Sequence, residues 1–374
     1  MKNRKSIELL RVALWNVSPE ISLDEKDWRE VIQFAHKQTL DGIISDALQQ
    51  IPRENYPSLS VRRQMISSVL QVEMLNKTMN AELSEFVKIL ERKKIPYVLI
   101  KGQGVATYYK NPLHRIPGDI DLYIPKRFYS EANECMKAFG GIRGDESRHH
   151  IDYIARGIVW ELHHSIQYFQ SQKRNHLFMG FVDEALSQSP VYVSINEQQV
   201  RVLPPTINIV MLLSHILDHF LCQGIGLRQL CDYAMVLNET DQQIDRETLL
   251  RYLDRLSLTR AYRVFGQLCV DYLGVSSSKL MLKVGDKDKC MASKVLEDCI
   301  YGGNFGKNAH DGRETLKTAI TYYTRFFTRL IKFGYISPGE AILWPMLKFY
   351  RFITGKVHVD EKNSVLNAGK KDVG

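Results

Sequence analysis

Among its 374 residues the chain has six cysteines, and no two of them form a C-x-x-C pair. Cys135, Cys222, Cys231, Cys269, Cys290 and Cys299 are scattered, which excludes a zinc knuckle and a disulfide framework and suits a reducing compartment. Nowhere do about 18 uncharged apolar residues follow one another, so no transmembrane helix is expected. A secretory leader is not expected either, because Glu8 and Arg11 interrupt the apolar run over residues 6–15. Internal repeats are absent. The glycine-rich stretch at 302–306 lacks the preceding strand and the following Lys-Ser/Thr of a phosphate-binding P-loop. The expected location is the cytoplasm.

What is present is an ordinary globular composition, 44% hydrophobic and 25% charged. The length calls for two or three domains with a sizeable core. A net charge of +8 favours anionic partners. Nucleotides, nucleic acid, acidic lipid and polyphosphate all qualify, so charge names a class and nothing finer.

Apolar periodicity divides the chain. Residues 1–95 read as helical: Leu9, Leu10, Val12, Ala13 and Leu14 recur near helical spacing, and Asp24 and Glu25 open a second helix. A long helix is predicted over 61–94, with Val69, Val72, Leu75, Met79, Leu83, Phe86 and Leu90 on one face. The period changes at Pro96. Residues 96–203 read as a mixed core: a strand at 97–100, a turn at Lys101-Gly102-Gln103-Gly104 opening a helix to Tyr109, and a strand at 119–124. A helix over 126–139, a hairpin at 151–154 and 158–162, a helix at 175–186 and a second hairpin around Asn196-Glu197 follow. Residues 204–356 are helical again, and the polar tail 357–374 is expected to be disordered. The expected fold class is α+β, a small mixed sheet flanked by N-terminal and C-terminal helical regions.

The chemistry concentrates in the mixed core. On a strand, Asp119 and Asp121 project to the same side. Carboxylates so close repel unless a cation lies between them, and magnesium pairs one or two carboxylates with substrate phosphates. The backbone at the Gly102 turn offers N–H groups to a triphosphate. Glu161, inside the apolar run Val159-Trp160-Glu161-Leu162-His163, is the candidate third ligand, because a charge in an apolar strand is costly unless paired or ligating. An Asp-x-Asp by itself is more often two solvated acids; order and spacing with Gly102 and Glu161 raise it above that.

Leu99-Ile100-Lys101-Gly102, Arg115 with Gly118-Asp119-Ile120-Asp121-Leu122, and Trp160-Glu161-Leu162-His163 resemble a bacterial nucleotidyltransferase-like family within the DNA polymerase beta superfamily. Its members often lie near polysaccharide-synthesis genes. Residues 35–42, 213–215 and 226–232 resemble its flanking helical segments. The resemblance implies a nucleotidyltransferase core and transfer of a nucleotidyl group from a nucleoside triphosphate. Two Mg2+ or Mn2+ ions would be held by Asp119, Asp121 and Glu161. Lys101, Gly102, Gln103, Arg115 and Gly118 would bind the phosphates, Lys101 as a point charge and Arg115 as a bidentate donor. The acceptor stays open: a sugar or other small molecule, a protein side chain or an RNA end.

Two departures set against this are Gln103, where the superfamily has a small residue, and a longer gap from Gln103 to Asp119. They keep a second reading alive: an inactive nucleotide-binding or scaffolding relative, linked to surface-polysaccharide synthesis. His163 faces the side of Glu161, where it supports a ligand, binds the acceptor or packs. Arg228 and Asp232, four apart, read as a helix ion pair or as a border of the nucleotide cleft. His215 and His219 have metal-pair spacing but no evident third ligand. Basic aromatic helices over 315–354 read as a packed pair or as a peripheral membrane contact; nothing points strongly to nucleic acid.

Overall fold

The computed structural model of the chain describes residues 3–302, apart from 19, 20, 148, 167, 168, 170 and 223, together with 327–340, 342, 343 and 346. The N-terminal part is helical, with α1 (Arg4–Trp15), α2 (Glu25–Gln38), the short α3 (Asp41–Ser45) and α4 (Leu59–Arg92). The acidic start predicted for α2 is a capping box: Asp24 accepts from the Asp27 N–H at 2.8 Å, and Asp27 accepts in turn from the Asp24 N–H at 2.9 Å. Gly42 lets α3 approach the loop that leads into the strand Ile120–Tyr123, since a Cβ there would sit 2.1 Å from the His114 carbonyl oxygen.

The mixed core follows: β1 (Val98–Ile100), α5 (Gly102–Ala106), β2 (Ile120–Tyr123), α6 (Lys126–Ala138), β3 (Ile142–Glu146), β4 (His150–Ala155), β5 (Ile158–His163), α7 (Gln172–Leu186), β6 (Val191–Ile195) and β7 (Gln198–Val202). The seven strands form one sheet in the order β3-β4-β5-β2-β1-β7-β6. β2 runs parallel to β5 and β1 parallel to β7, while the other neighbours are antiparallel. Helices α8 (Pro205–Cys222), α9 (Leu227–Glu239), α10 (Arg246–Arg255), α11 (Thr259–Leu273) and α12 (Asp286–Gly302) complete the described chain. The protein is α+β, a mixed sheet flanked by helices.

Alternation along the strands decides where the site lies. Ile120 and Leu122 of β2, Trp160 and Leu162 of β5, and Ile151 and Tyr153 of β4 turn to one face and pack with α4 and α6. Trp160, fully buried, meets Phe86 edge-on at 5.3 Å and Phe139 at 5.8 Å. The intervening residues therefore turn to the other face: Asp121, Glu161 and His163, with Asp152 and His150 from β4. Toward that face lie the helices of the larger hydrophobic cluster.

Two elements were not singled out in the sequence, and one expectation is corrected. Strand β3 has no counterpart in the apolar pattern, because all five of its residues are exposed. The segment before residue 302 is helix α12, whose small buried residues Ala292, Val295 and Cys299 give a weak signal. On α4, Leu75 is 48% exposed, and the buried position beside it belongs to Asn76, whose amide donates to the carbonyls of Leu113 and Arg115.

The helices expected over 315–354 fall mostly outside the described residues, as does the tail at 357–374. Within what is described, residues 327–333 are helical, and Arg329 donates to the Phe220 carbonyl and to Asp298. Helix α8 is long and apolar enough to cross a membrane, but 72% of it is buried inside the fold.

Candidate active site

Register brings the acids together. On parallel strands β2 and β5, Asp121 lies opposite Glu161, and on antiparallel β4 and β5, Asp152 lies opposite Glu161. Asp119 precedes β2 by one residue and lines the same cleft. Ile100 pairs with Asp121 across β1 and β2, so Lys101, one residue on, sits beside the acids. Its Nζ donates to Asp121 Oδ1 at 2.9 Å. Lys101 adopts φ 57°, ψ −145°, a sparsely populated conformation for a non-glycine residue that costs on the order of 1–3 kcal/mol. Gly102 follows at φ 33°, where a Cβ would stand 3.3 Å from the Asp119 carbonyl oxygen.

The cleft holds about 350 Å³. One wall is the polar sheet face with Lys101, Gly102, Gly118, Asp119, Asp121 and Glu161; the other is formed by α8 and α9. Repulsion from Asp121, then burial, raises the Asp119 carboxyl above the usual carboxylate range, with Lys101 opposing. Burial would raise Glu161 too, but hydrogen bonding to His163 and the charge of Lys101 hold it below its ordinary value. Lys101 keeps its charge: burial opposes it, and Asp121, Glu161 and Asp119 outweigh that penalty. His163 is fully buried, and its Nε2 lies 2.9 Å from Asp121 Oδ1 and 3.0 Å from Glu161 Oε2. Burial disfavours its protonated form, and the two carboxylates overcome that and raise it.

Asp119, Asp121, Glu161, Lys101, Gly102, Gly118, Arg115, Arg228 and Asp232 all line this cleft, with His163 behind the acids. Arg115 is engaged otherwise than expected, and Arg228 follows the second of its two readings, the border of the cleft. Arg115, 4% exposed, directs Nε and Nη2 at Asp232 at 2.7 and 2.8 Å, so its bidentate face is on a carboxylate of α9. Arg228 does not form a hydrogen-bonded helix pair with Asp232; its Nη1 donates to the Ile116 carbonyl at 2.8 Å. Tyr109 completes the cluster by donating to Asp232 Oδ1 at 2.8 Å. Together these contacts hold the loop before Asp119 against α9.

Gln103 does not line the cleft. It is 3% exposed, and its amide donates to Asn76 and Asn80 of α4 at 3.1 and 2.6 Å. The side chain that replaces a small residue is thus turned away, and only its backbone stays at the turn.

Sequence reasoning singled out His215 and His219 by their spacing but missed His149 and His150. His149 and His150 line it, and His215, Asp218 and His219 of α8 line it from the facing wall. Burial and then Lys101 push His219 down to about 4 and His215 well below its ordinary value, so both rings are neutral. Neither belongs to a three-ligand group among the described residues, although their rings are 4.3 Å apart. The adjacent His149-His150 pair at the start of β4 was the available signal.

Residues 24–274 match the model of the family described as uncharacterised nucleotidyltransferase. Among curated proteins, nothing matches the chain. Two solved structures are similar. One is the antibiotic-resistance factor ANT(2'')-Ia, 13% identical, with 50% of this chain and 94% of that chain covered at a TM-score of 0.35. The other is an antigenic nucleotidyltransferase-like protein from Paracoccidioides brasiliensis, 16% identical, with 51% and 91% covered at 0.29.

Proposed function

The chain belongs to the uncharacterised nucleotidyltransferase family, and from that premise we propose that it transfers a nucleotidyl group from a magnesium-bound nucleoside triphosphate to a hydroxyl acceptor in the cleft between the sheet and α8–α9. The observation that carries the reading is the convergence of Asp119, Asp121 and Glu161 on one cleft, with Lys101 2.9 Å from Asp121. The donor set fits a hard divalent ion such as Mg2+ or Mn2+. It is all oxygen, and the repulsion that raises Asp119 is what a cation relieves. Two such ions, when bound, would neutralise the triphosphate and the charge that develops on the attacking and leaving oxygens.

The residues divide the remaining work. Lys101 would neutralise phosphate charge, and the Gly102 backbone, without a side chain, admits the triphosphate close to the turn. His163, within hydrogen-bond distance of both Asp121 and Glu161, fixes the two carboxylates in orientation. In the transfer, the acceptor oxygen bonds to the α-phosphorus as its bond to the bridging oxygen of the β-phosphate breaks. Pyrophosphate leaves, and the acceptor proton passes to the Glu161 carboxylate. The engagement of Gln103 with α4 leaves the cleft open, which supports transfer over binding alone.

The test is to incubate the protein with each of four α-labelled nucleoside triphosphates, magnesium or manganese, and cell extract. Label is expected in a sugar, protein or RNA acceptor with the wild-type chain and not with Glu161→Gln. Absence of label from all four triphosphates with the wild-type chain overturns the proposal.

A further inference from the structure

We infer that the β4–β5 side of the cleft binds a transition-metal ion of the Zn2+ or Co2+ class through ring nitrogens of His149, His150 and His163, separate from the all-oxygen position at Asp119 and Asp121. One ring nitrogen of each histidine lies within 4.8 Å of those of the other two. The ring centroids are 4.4 Å apart for His149 and His150, 4.8 Å for His150 and His163, and 5.5 Å for His149 and His163. Three imidazoles brought so close are a ligand set for borderline metals, whereas Mg2+ prefers oxygen.

A second observation is independent of that clustering. His163 is fully buried, and its Nδ1 has no hydrogen-bond partner while its Nε2 contacts Asp121 and Glu161. An orphaned buried ring nitrogen is costly. A carboxylate on one nitrogen and a metal on the other is the usual arrangement of a ligating histidine. Nε2 being committed, Nδ1 is the nitrogen left to ligate. His150 Nδ1 is likewise buried without a hydrogen-bond partner, 3.6 Å from Glu161 Oε2, and its Nε2 lies 3.0 Å from Asp152 Oδ1. His150, Asp152 and Glu161 form a further group within the same 4.8 Å, which supplies a carboxylate as fourth ligand.

The electrostatics agree. Burial disfavours the protonated form of His149, and His150, His163 and Lys101 add to that. Lys101 adds a positive charge to the region, and Asp121, Asp152 and Glu161 offset it. Ligation through Nδ1 would fix the proton of His163 on Nε2, as the donor shared by Asp121 and Glu161. Occupancy of the nitrogen site is thereby linked to the orientation of the two acids.

The experiment titrates the chelator-stripped full chain with Co2+ alone, in the presence of excess Mg2+, following visible d–d absorption and bound stoichiometry. One Co2+ per chain is expected to resist competition by Mg2+. His149→Ala and His150→Ala should each weaken it by roughly tenfold or more, and Asp119→Asn should bind it as the wild type does. Unchanged Co2+ affinity in both histidine variants overturns the proposal. So does loss of Co2+ in Asp119→Asn, and so does a wild-type chain that binds no Co2+ in excess Mg2+. Should the variants misfold, X-ray absorption at the cobalt edge of the loaded wild-type protein decides. Two or more imidazoles in the shell are expected, and oxygen ligands alone overturn it. Neither readout depends on nucleotide binding, so this proposal and the proposed transfer fail separately.

Discussion

Asp218 stands on the α8 wall of the cleft with its carboxyl pushed up to about 7, chiefly by burial and secondarily by Glu340. The linkage follows from where the proton goes. Below the ordinary carboxylate value of about 4 the group is protonated folded and unfolded, and contributes nothing. Between about 4 and 7 the unfolded chain releases the proton while the folded chain keeps it, so stability falls as pH rises through that window. Asp218→Asn removes the effect. The variant should match the wild type at the acid end and become the more stable of the two as pH rises, by at most on the order of 4 kcal/mol. Thermal unfolding of both proteins across that range checks it, and a constant difference in Tm would count against the burial argument.

At this scale the sequence was legible for the acids and not for their partners. Asp119, Asp121 and Glu161 stand out because charge in an apolar strand breaks a pattern. Gln103 and Arg115 looked like phosphate contacts because sequence says nothing about a side chain's rotamer. One reaches α4 and the other Asp232, whose position is set by a helix more than a hundred residues further on.

The loop from residue 111 to Asp119 carries a first-strand acid with little regular structure of its own. Contacts from α9 hold it: Asp232 accepts both donors of Arg115 and the Tyr109 hydroxyl, and Arg228 caps the Ile116 carbonyl. Removing one partner of a buried ion pair strands the other charge. Asp232→Ala should therefore cost about 3–5 kcal/mol in urea unfolding, and Asp232→Asn less. A loss under about 1 kcal/mol, within the range of exposed pairs, would mean that α9 does not hold this loop.

Elements with a clean period were legible: α4 between its two prolines and its strand, β1 as a short apolar run after Pro96, and the Asn196-Glu197 hairpin. Both residues of that hairpin loop have positive φ, 47° and 64°, the backbone a two-residue turn demands. Strand β3 was not legible, because Ile-Arg-Gly-Asp-Glu buries no face and is held by pairing with β4 alone. The long face of α4 was read with one error, at Leu75 and Asn76, where a polar residue is buried to hold the neighbouring loop.

For the whole molecule, the net charge of +8 favours anionic partners, and family membership points to nucleotidyl chemistry. The sheet gathers residues from β1, β2, β4 and β5 on one polar face, and α8 and α9 close over it. The cleft therefore depends on chain segments from Lys101 to Asp232, and its histidine content appears only when β4, β5 and α8 are brought together. No single stretch carries that information.

The central claim is that Asp119 and Asp121 bind a nucleoside triphosphate through magnesium. Calorimetric titration of the wild-type chain, Asp119→Asn and Asp121→Asn with a non-hydrolysable triphosphate, with Mg2+ and with chelator, tests it most directly. Wild-type binding should require Mg2+, and each substitution should weaken it at least about a hundredfold, or ~3 kcal/mol. Full affinity retained in either variant, or wild-type binding indifferent to the chelator, would contradict it.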